Sequence, residues 1–343
     1  MELHFTRTNG PVDEAIEQLI AMAGEVHHAD LVREMILAAL KAGLEDNQRA
    51  HLRLMNTTLK EMRFTGKVFG PYRNVRKVTV FGSARTRADE PIYRMAQLFG
   101  QRLAEAGYMV ITGGGGGIMQ AANEGAGPDH SFGVNIRLPF EQKPNPALEG
   151  NPRLINYRYF FNRKVAFLRE AHAIALFPGG FGTQDEAMET LTLVQTGKSP
   201  PLPLILIDEP GGTYWSRWMQ FFEEELLAEG YILPSDFHLF RRVDSVEEAV
   251  EEIDRFYRRY HSLRWVDGLL VLRLKTPLDD ARVEDLAREF RDLLVPGGRM
   301  WTDGPLEAEG DEPELRSLPR LIVEFNRQDF GGLRRLIDRV NEI

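Results

Sequence analysis

The stretch AHAIALFPGGFGTQDEAMETLTLVQTG, residues 171–197, decides the fold. It opens with a short apolar run of strand type, passes through Gly179, Gly180 and Gly182, and continues as DEAMETLTLVQTG, which reads as a helix. A strand, a glycine-rich turn and a helix in succession form the repeating unit of a parallel sheet. The unit recurs upstream. VRKVTVFGSA (75–84), YMVITGGGGG (108–117) and SFGVNIRLP (131–139) read as strands, with helices over PIYRMAQLFGQRLAEAG (91–107), GIMQAANEGA (117–126) and NRKVAFLREA (162–171). LPLILID (202–208) supplies a further strand. The expected fold is α/β, a Rossmann-like doubly wound parallel sheet over residues 73–261. Ligands bind such sheets beyond the carboxyl ends of the strands.

The flanks differ. Residues 1–72 read as a helical N-terminal extension. In ADLVREMILAALKAG (29–43), Val32, Met35, Ile36 and Leu40 recur at helical spacing, with Asp30 placed to cap the start and Gly43 to end the helix. EDNQRAHLRLMNTTLKEMRF (45–64) reads as a second, more polar helix. Residues 262–343 read as a small α+β module of β-α-β-β-α order: strand WVDGLLVLRLK, helix DARVEDLAREFRDLL, strands GGRMWTDG and LPRLIVEFN, and closing helix FGGLRRLIDRVNEI.

Composition sets limits on function. The chain has 343 residues, 43% hydrophobic and 27% charged, with a net charge of −9. That acidity gives no electrostatic footprint for nucleic acid. The lack of cysteine excludes disulfides, thiolate zinc sites and cysteine nucleophiles. No apolar run has the length of a membrane span, and the N-terminus lacks the form of a secretory signal, so a cytoplasmic protein without a membrane partner is expected. The histidines His27, His28, His172 and His238 show no metal-ligand spacing and are read as structural; no metal site and no cofactor are expected.

The candidate chemistry lies in two glycine clusters, TGGGGGIMQAANEGA (112–126) and PGGFGT (178–183). Glycines after a strand let the backbone approach a ligand closely, and a helix starting there directs unpaired N–H groups at an anion. Neither cluster is a P-loop, since no G-x-x-x-x-G-K-[ST] occurs, and the usual place of a dinucleotide fingerprint holds FGSAR instead. A tight turn alone would also use glycine, but five in a row cost considerable chain entropy. Ser83 stands at a third strand end, as a turn residue or a ligand contact. Thr183 can cap its helix or donate to a phosphate. Asp185 and Glu186 suit a helix's first turn, where the dipole favours carboxylates. Glu186 can also face a bound sugar and assist cleavage of an N-glycosidic bond. Arg163 offers a planar fork that would hold Glu186 ionised and aimed.

Taken together, NRK some fifteen residues before PGGFGTQDE, TGGGGGIMQAANEGA and FGSAR resemble the Lonely Guy (LOG) family over roughly residues 75–260. The resemblance implies a Rossmann-like fold, a homodimer or higher homo-oligomer, and hydrolysis of nucleoside 5′-monophosphates, AMP or cytokinin-type nucleotides, to free base and ribose 5-phosphate. Arg163 and Glu186 would be the catalytic pair. Lys164, Gly179, Gly180, Phe181, Gly182, Thr183 and Thr192 would contact the nucleotide, and Gly113, Gly114, Gly115, Gly116 and Gly117 would complete the phosphate side. Ser83 is a further substrate-binding candidate, and Phe181, Met119 and loop 139–148 would line the base pocket. The chain departs from the family pattern in FNRK, where many members place His-Glu before the Arg-Lys. It departs again in QDE in place of Leu-Glu-Glu, and in a longer loop after the 131–139 strand. The alternative is a non-catalytic carrier of a nucleotide or molybdenum cofactor on the same fold. The lysine decarboxylase label attached to the family finds no lysine in a setting suited to a Schiff base.

Overall fold

The computed structural model describes residues 7–138, 143–309 and 312–343. The chain divides into two compact units, Met1–Phe64 and Thr65–Ile343. The first holds α1 (Pro11–Met22), α2 (Ala29–Glu45) and most of α3 (Arg49–Phe69). A buried ion pair joins Arg33 on α2 to Asp13 on α1, at 2.5 Å. Gly43 does not end α2, which runs on to Glu45. A single glycine costs a helix only about 1 kcal/mol, less than its neighbours supply.

The second unit begins with β1 (Lys77–Phe81), α4 (Pro91–Glu105), β2 (Met109–Thr112), α5 (Ile118–Ala126), β3 (Ser131–Ile136) and β4 (Leu154–Tyr157). It continues with α6 (Phe160–Glu170), β5 (Ala173–Leu176), α7 (Phe181–Gln195), β6 (Leu204–Ile207), α8 (Tyr214–Phe221), β7 (Arg241–Val243) and α9 (Val246–Phe256). The strands form one sheet in the order β4-β3-β2-β1-β5-β6-β7. Every pairing in it is parallel. The inner strands β1, β2, β5 and β6 are buried along their whole length, as a sheet covered by helices on both faces requires. The α/β reading therefore stands. Chain order reverses between β1 and β5, which places a crevice at their carboxyl ends.

The remaining elements are β8 (Tyr260–Val266), β9 (Leu269–Leu274), α10 (Asp280–Glu289), β10 (Met300–Asp303), β11 (Arg320–Val323) and α11 (Phe330–Glu342). They build an antiparallel sheet ordered β10-β11-β9-β8. The order is β-β-α-β-β-α, one strand more than the sequence reading. WVDGLLVLRLK is not one strand but the two sides of a hairpin. Asp267 and Gly268, at φ 48° and 87°, form the two-residue turn between β8 and β9. This module shares its apolar core with the parallel sheet: Leu270, Leu272 and Leu333 belong to the same buried cluster as Val78, Ile205 and Phe256. Among the described residues, no helix is long and apolar enough to cross a membrane.

Candidate functional site

Three loops meet at the crevice, and glycine lets them meet. The loop after β1 runs between the loops after β2 and β5. Ser83 donates its N–H to the Pro178 carbonyl at 3.0 Å, and its own carbonyl accepts from Ile118 N–H at 3.0 Å. A side chain at Gly117 would place its Cβ 2.2 Å from the Ser83 carbonyl oxygen. One at Gly179 would stand 2.1 Å from Thr183 Oγ1 and 3.0 Å from Ser83 N. Neither approach has room for a methyl group.

The resulting cleft encloses about 630 Å³. From the first loop it is lined by Ser83 and Arg85, and from the second by Gly113 with Met119. Gly179, Gly180, Phe181, Gly182 and Thr183 line it at the start of α7, with Arg163 and Glu186 in its wall. Gly180 stands at the N-cap of α7 with no side-chain hydrogen bond to the helix, and the Thr183 N–H donates to the Gly180 carbonyl at 3.1 Å, so the N–H groups of Phe181 and Gly182, which line the cleft, are left uncapped. Thr183 is thus not the cap: it is the third helical residue, within the first turn. The loop carrying Gly179 is held from behind. Tyr214 Oη donates to the Gly179 carbonyl at 2.5 Å and accepts from Gln184 Nε2 at 2.6 Å, while Trp218 Nε1 donates to Gln184 Oε1 at 2.7 Å.

Glu186 sits one turn into α7 and is 2% exposed. Arg163 Nη2 stands 3.9 Å from Oε1 and Lys164 Nζ 3.7 Å from Oε2, both beyond hydrogen-bond reach. Oε2 is buried with no hydrogen-bond partner, and so is Nε of Arg163. Burial therefore dominates and raises the Glu186 carboxyl from 4.5 to about 7, with Lys164 and Arg163 opposing the rise. The expectation that Arg163 holds Glu186 ionised and aimed is met only in part: attraction across 3.9 Å opposes the rise but does not replace lost hydration. Burial also lowers Arg163, with Glu186 and Asp185 resisting. Lys164 is raised: burial, its largest single influence, is outweighed by hydrogen bonds to Asp185 and Glu189 and by attraction to Glu186. Its ammonium lies 2.8 Å from Asp185 and also pairs with Glu189.

Some candidates stand apart from the cleft wall. Lys164 touches Glu186 but does not line the cavity. Gly114, Gly115, Gly116 and Gly117 shape the second loop without lining it. Thr192 is exposed a turn and a half further along α7, and its hydroxyl donates to the Met188 carbonyl. Residues 139–142 of the loop read as bordering the base pocket lie outside the described residues. Sequence reasoning missed the polar scaffold beneath the glycines. Thr112 Oγ1 accepts from Gly114 N–H and donates to Asn123 Oδ1, and Asn145 binds Gly115 through its amide and Gly114 through its backbone N–H. Asn145 is remote from both partners in the chain, so no local signal marks it. Arg85 was also missed, although FGSAR displays it.

Residues 116–253 match the family model described as "Possible lysine decarboxylase". The chain is 25% identical over 187 residues to cytokinin riboside 5′-monophosphate phosphoribohydrolase LOG5 of Arabidopsis thaliana, covering 53% of this chain and 78% of that protein. It is 28% identical over 317 residues to the pyrimidine/purine nucleotide 5′-monophosphate nucleosidase of Escherichia coli K12, covering 78% of this chain and 68% of that protein. Among solved structures, the molybdenum cofactor carrier protein of Chlamydomonas reinhardtii is 20% identical over 53% of this chain and 97% of its own, with a TM-score of 0.37. The parallel-sheet part of the chain is thus similar to the Lysine_decarbox/LOG family, with distant likeness to its phosphoribohydrolases at 25–28% identity.

Proposed function

We propose that this protein is a nucleoside 5′-monophosphate phosphoribohydrolase. The observation that carries the reading is Glu186: a buried carboxyl raised to about 7, without a hydrogen bond to Oε2, one turn beyond an uncapped glycine-rich helix start and in the same cleft. Structural carboxylates acquire hydrogen bonds, whereas a poised carboxyl suits acid–base work near neutral pH.

The 5′-phosphate binds the uncapped N–H groups at the start of α7, with the Thr183 hydroxyl beside them. This anchors the ribose with its anomeric carbon toward Glu186. As the C1′–N bond breaks, the bonding electrons leave with the base and positive charge grows on C1′ and the ring oxygen. Ionised Glu186 stabilises that charge or takes a proton from the incoming water, whose oxygen bonds to C1′; the departing base gains a proton from solvent and Glu186 returns its own, so that one water is consumed per bond broken. Arg163 and Lys164 keep a share of Glu186 ionised against the pull of burial. Phe181, 95% exposed at the cleft mouth, offers an aromatic face to the base.

The test is chromatography of products after incubation with AMP, CMP, GMP, UMP and a cytokinin riboside monophosphate. Free base and ribose 5-phosphate in equal amounts are expected. Tight retention of a nucleotide or pterin ligand without turnover of any monophosphate would instead make the protein a carrier.

A further inference from the structure

A second cavity of about 630 Å³ lies at the opposite end of the parallel sheet. Arg76, His172 and Leu202 line it, just before β1, β5 and β6, so it sits below the amino ends of three adjacent strands. Its other wall comes from Tyr257, Tyr260 and His261, where α9 passes into β8. The cleft described above uses the carboxyl ends of β1 and β5, and the two cavities share no lining residue.

The charge of this second cavity is one-sided. Arg73 and Arg76 line it with two histidines, against a single carboxylate among the described residues, the exposed Glu314. The Arg76 guanidinium lies 3.9 Å over the Tyr257 ring and meets no carboxylate within ion-pair distance among the described residues. The three buried arginines of the C-terminal part are paired: Arg273 and Arg320 with Glu309, and Arg334 with Glu252 and Asp338. The histidines register the uncompensated field. His172 is pushed down to about 4 by burial and then by Lys77 and Arg76. His261 is pushed down by burial and then by Arg76, Lys275 and Arg273, with Glu312 opposing. The Lys77 backbone N–H donates to His172 Nδ1 at 3.2 Å, which leaves the proton of the neutral ring on Nε2 as a donor.

We propose that this cavity binds a small phosphate-bearing anion, held by Arg76 and Arg73 with the Nε2–H of His172. Two guanidinium forks and a neutral imidazole donor match phosphate oxygens. Pro200, Pro201 and Leu263 give an apolar wall for whatever the phosphate is attached to. The assignment does not rest on the hydrolase reading.

Among the described residues no histidine lines the first cleft, so the ring NMR signals of His172 and His261 report on the second cavity and not on the first. Inorganic pyrophosphate is titrated into the full chain, with the signals assigned through His172→Gln and His261→Gln. Saturable shifts of both signals are expected, weakened about tenfold or more in Arg76→Gln by loss of a charge-assisted contact. Arg73→Gln, at an exposed position, gives a second weakening independent of the Tyr257 stack. A parallel titration with ADP separates a nucleotide, which binds more tightly, from a bare polyphosphate, which binds equally well. Absence of a saturable shift at millimolar pyrophosphate, or a response unchanged in both arginine variants, overturns the assignment.

Discussion

Glu186 and Glu309 are both 2% exposed, and each has two basic side chains beside it, yet they are opposite in character. Glu309, in the C-terminal module, accepts from Arg273 at 2.8 and 3.0 Å, from Arg320 Nε at 3.2 Å and from the Leu306 N–H at 3.0 Å. Burial, the largest single influence, raises its carboxyl, but these hydrogen bonds together bring it below the usual value. At Glu186 the cations stop at 3.7 and 3.9 Å, Oε2 has no hydrogen bond, and burial wins. The difference is roughly one ångström of approach. Composition does not separate these two buried carboxylates; hydrogen-bond satisfaction does.

Substitution separates the two most sharply. Glu186→Gln is expected to lower kcat/KM for nucleoside monophosphates by about 10²–10⁴-fold while the protein stays folded, measured by product chromatography and thermal melting. Glu309→Gln is expected to do the reverse. It leaves two buried arginines short of a charge and destabilises by about 3–5 kcal/mol in denaturant titration, with the folded fraction still active. Equal stability losses at the two sites would break the comparison.

Gly179→Ala comes next in size. Its methyl group must displace Thr183 or the backbone of Ser83, so phosphate anchoring weakens and kcat/KM falls by about 10–100-fold, mainly through KM. A further effect is a pH dependence of stability. The folded-state value of Glu186, about 7, lies above the unfolded 4.5, so folding favours the protonated form. Its contribution is complete below pH 4.5 and is lost as pH rises to 7, by up to about 3 kcal/mol. Comparing urea unfolding at pH 5 and pH 8 in the wild type and in Glu186→Gln isolates this contribution, which the variant lacks.

The inner sheet and the cradle were legible because their signals are local. Apolar runs such as AIAL and LILI are followed by loops with glycine and proline, and the Arg163–Lys164 pair and PGGFGTQDE lie on either side of β5. The strands missed, β4 and β7, are the two edges of the sheet, short and only part-buried, so neither shows a continuous apolar run. The helix α9 carried a readable signal, with Val246, Ala249, Ile253 and Phe256 at helical spacing after the capping Ser245. Asp267-Gly268 likewise announced the hairpin. The protonation of Glu186 was not legible. It depends on distances that residues 22 and 23 positions apart in the chain reach only when α6 and α7 pack together.

The most direct test of the account is a carbon-13 NMR titration of the side-chain carboxyls, with the Glu186 signal assigned by its loss in Glu186→Gln. The account predicts a midpoint near 7. A midpoint at or below 4.5 would show that Arg163 and Lys164 satisfy Glu186 as fully as Arg273 and Arg320 satisfy Glu309, and would contradict the proposal that Glu186 is a carboxyl poised near neutral pH.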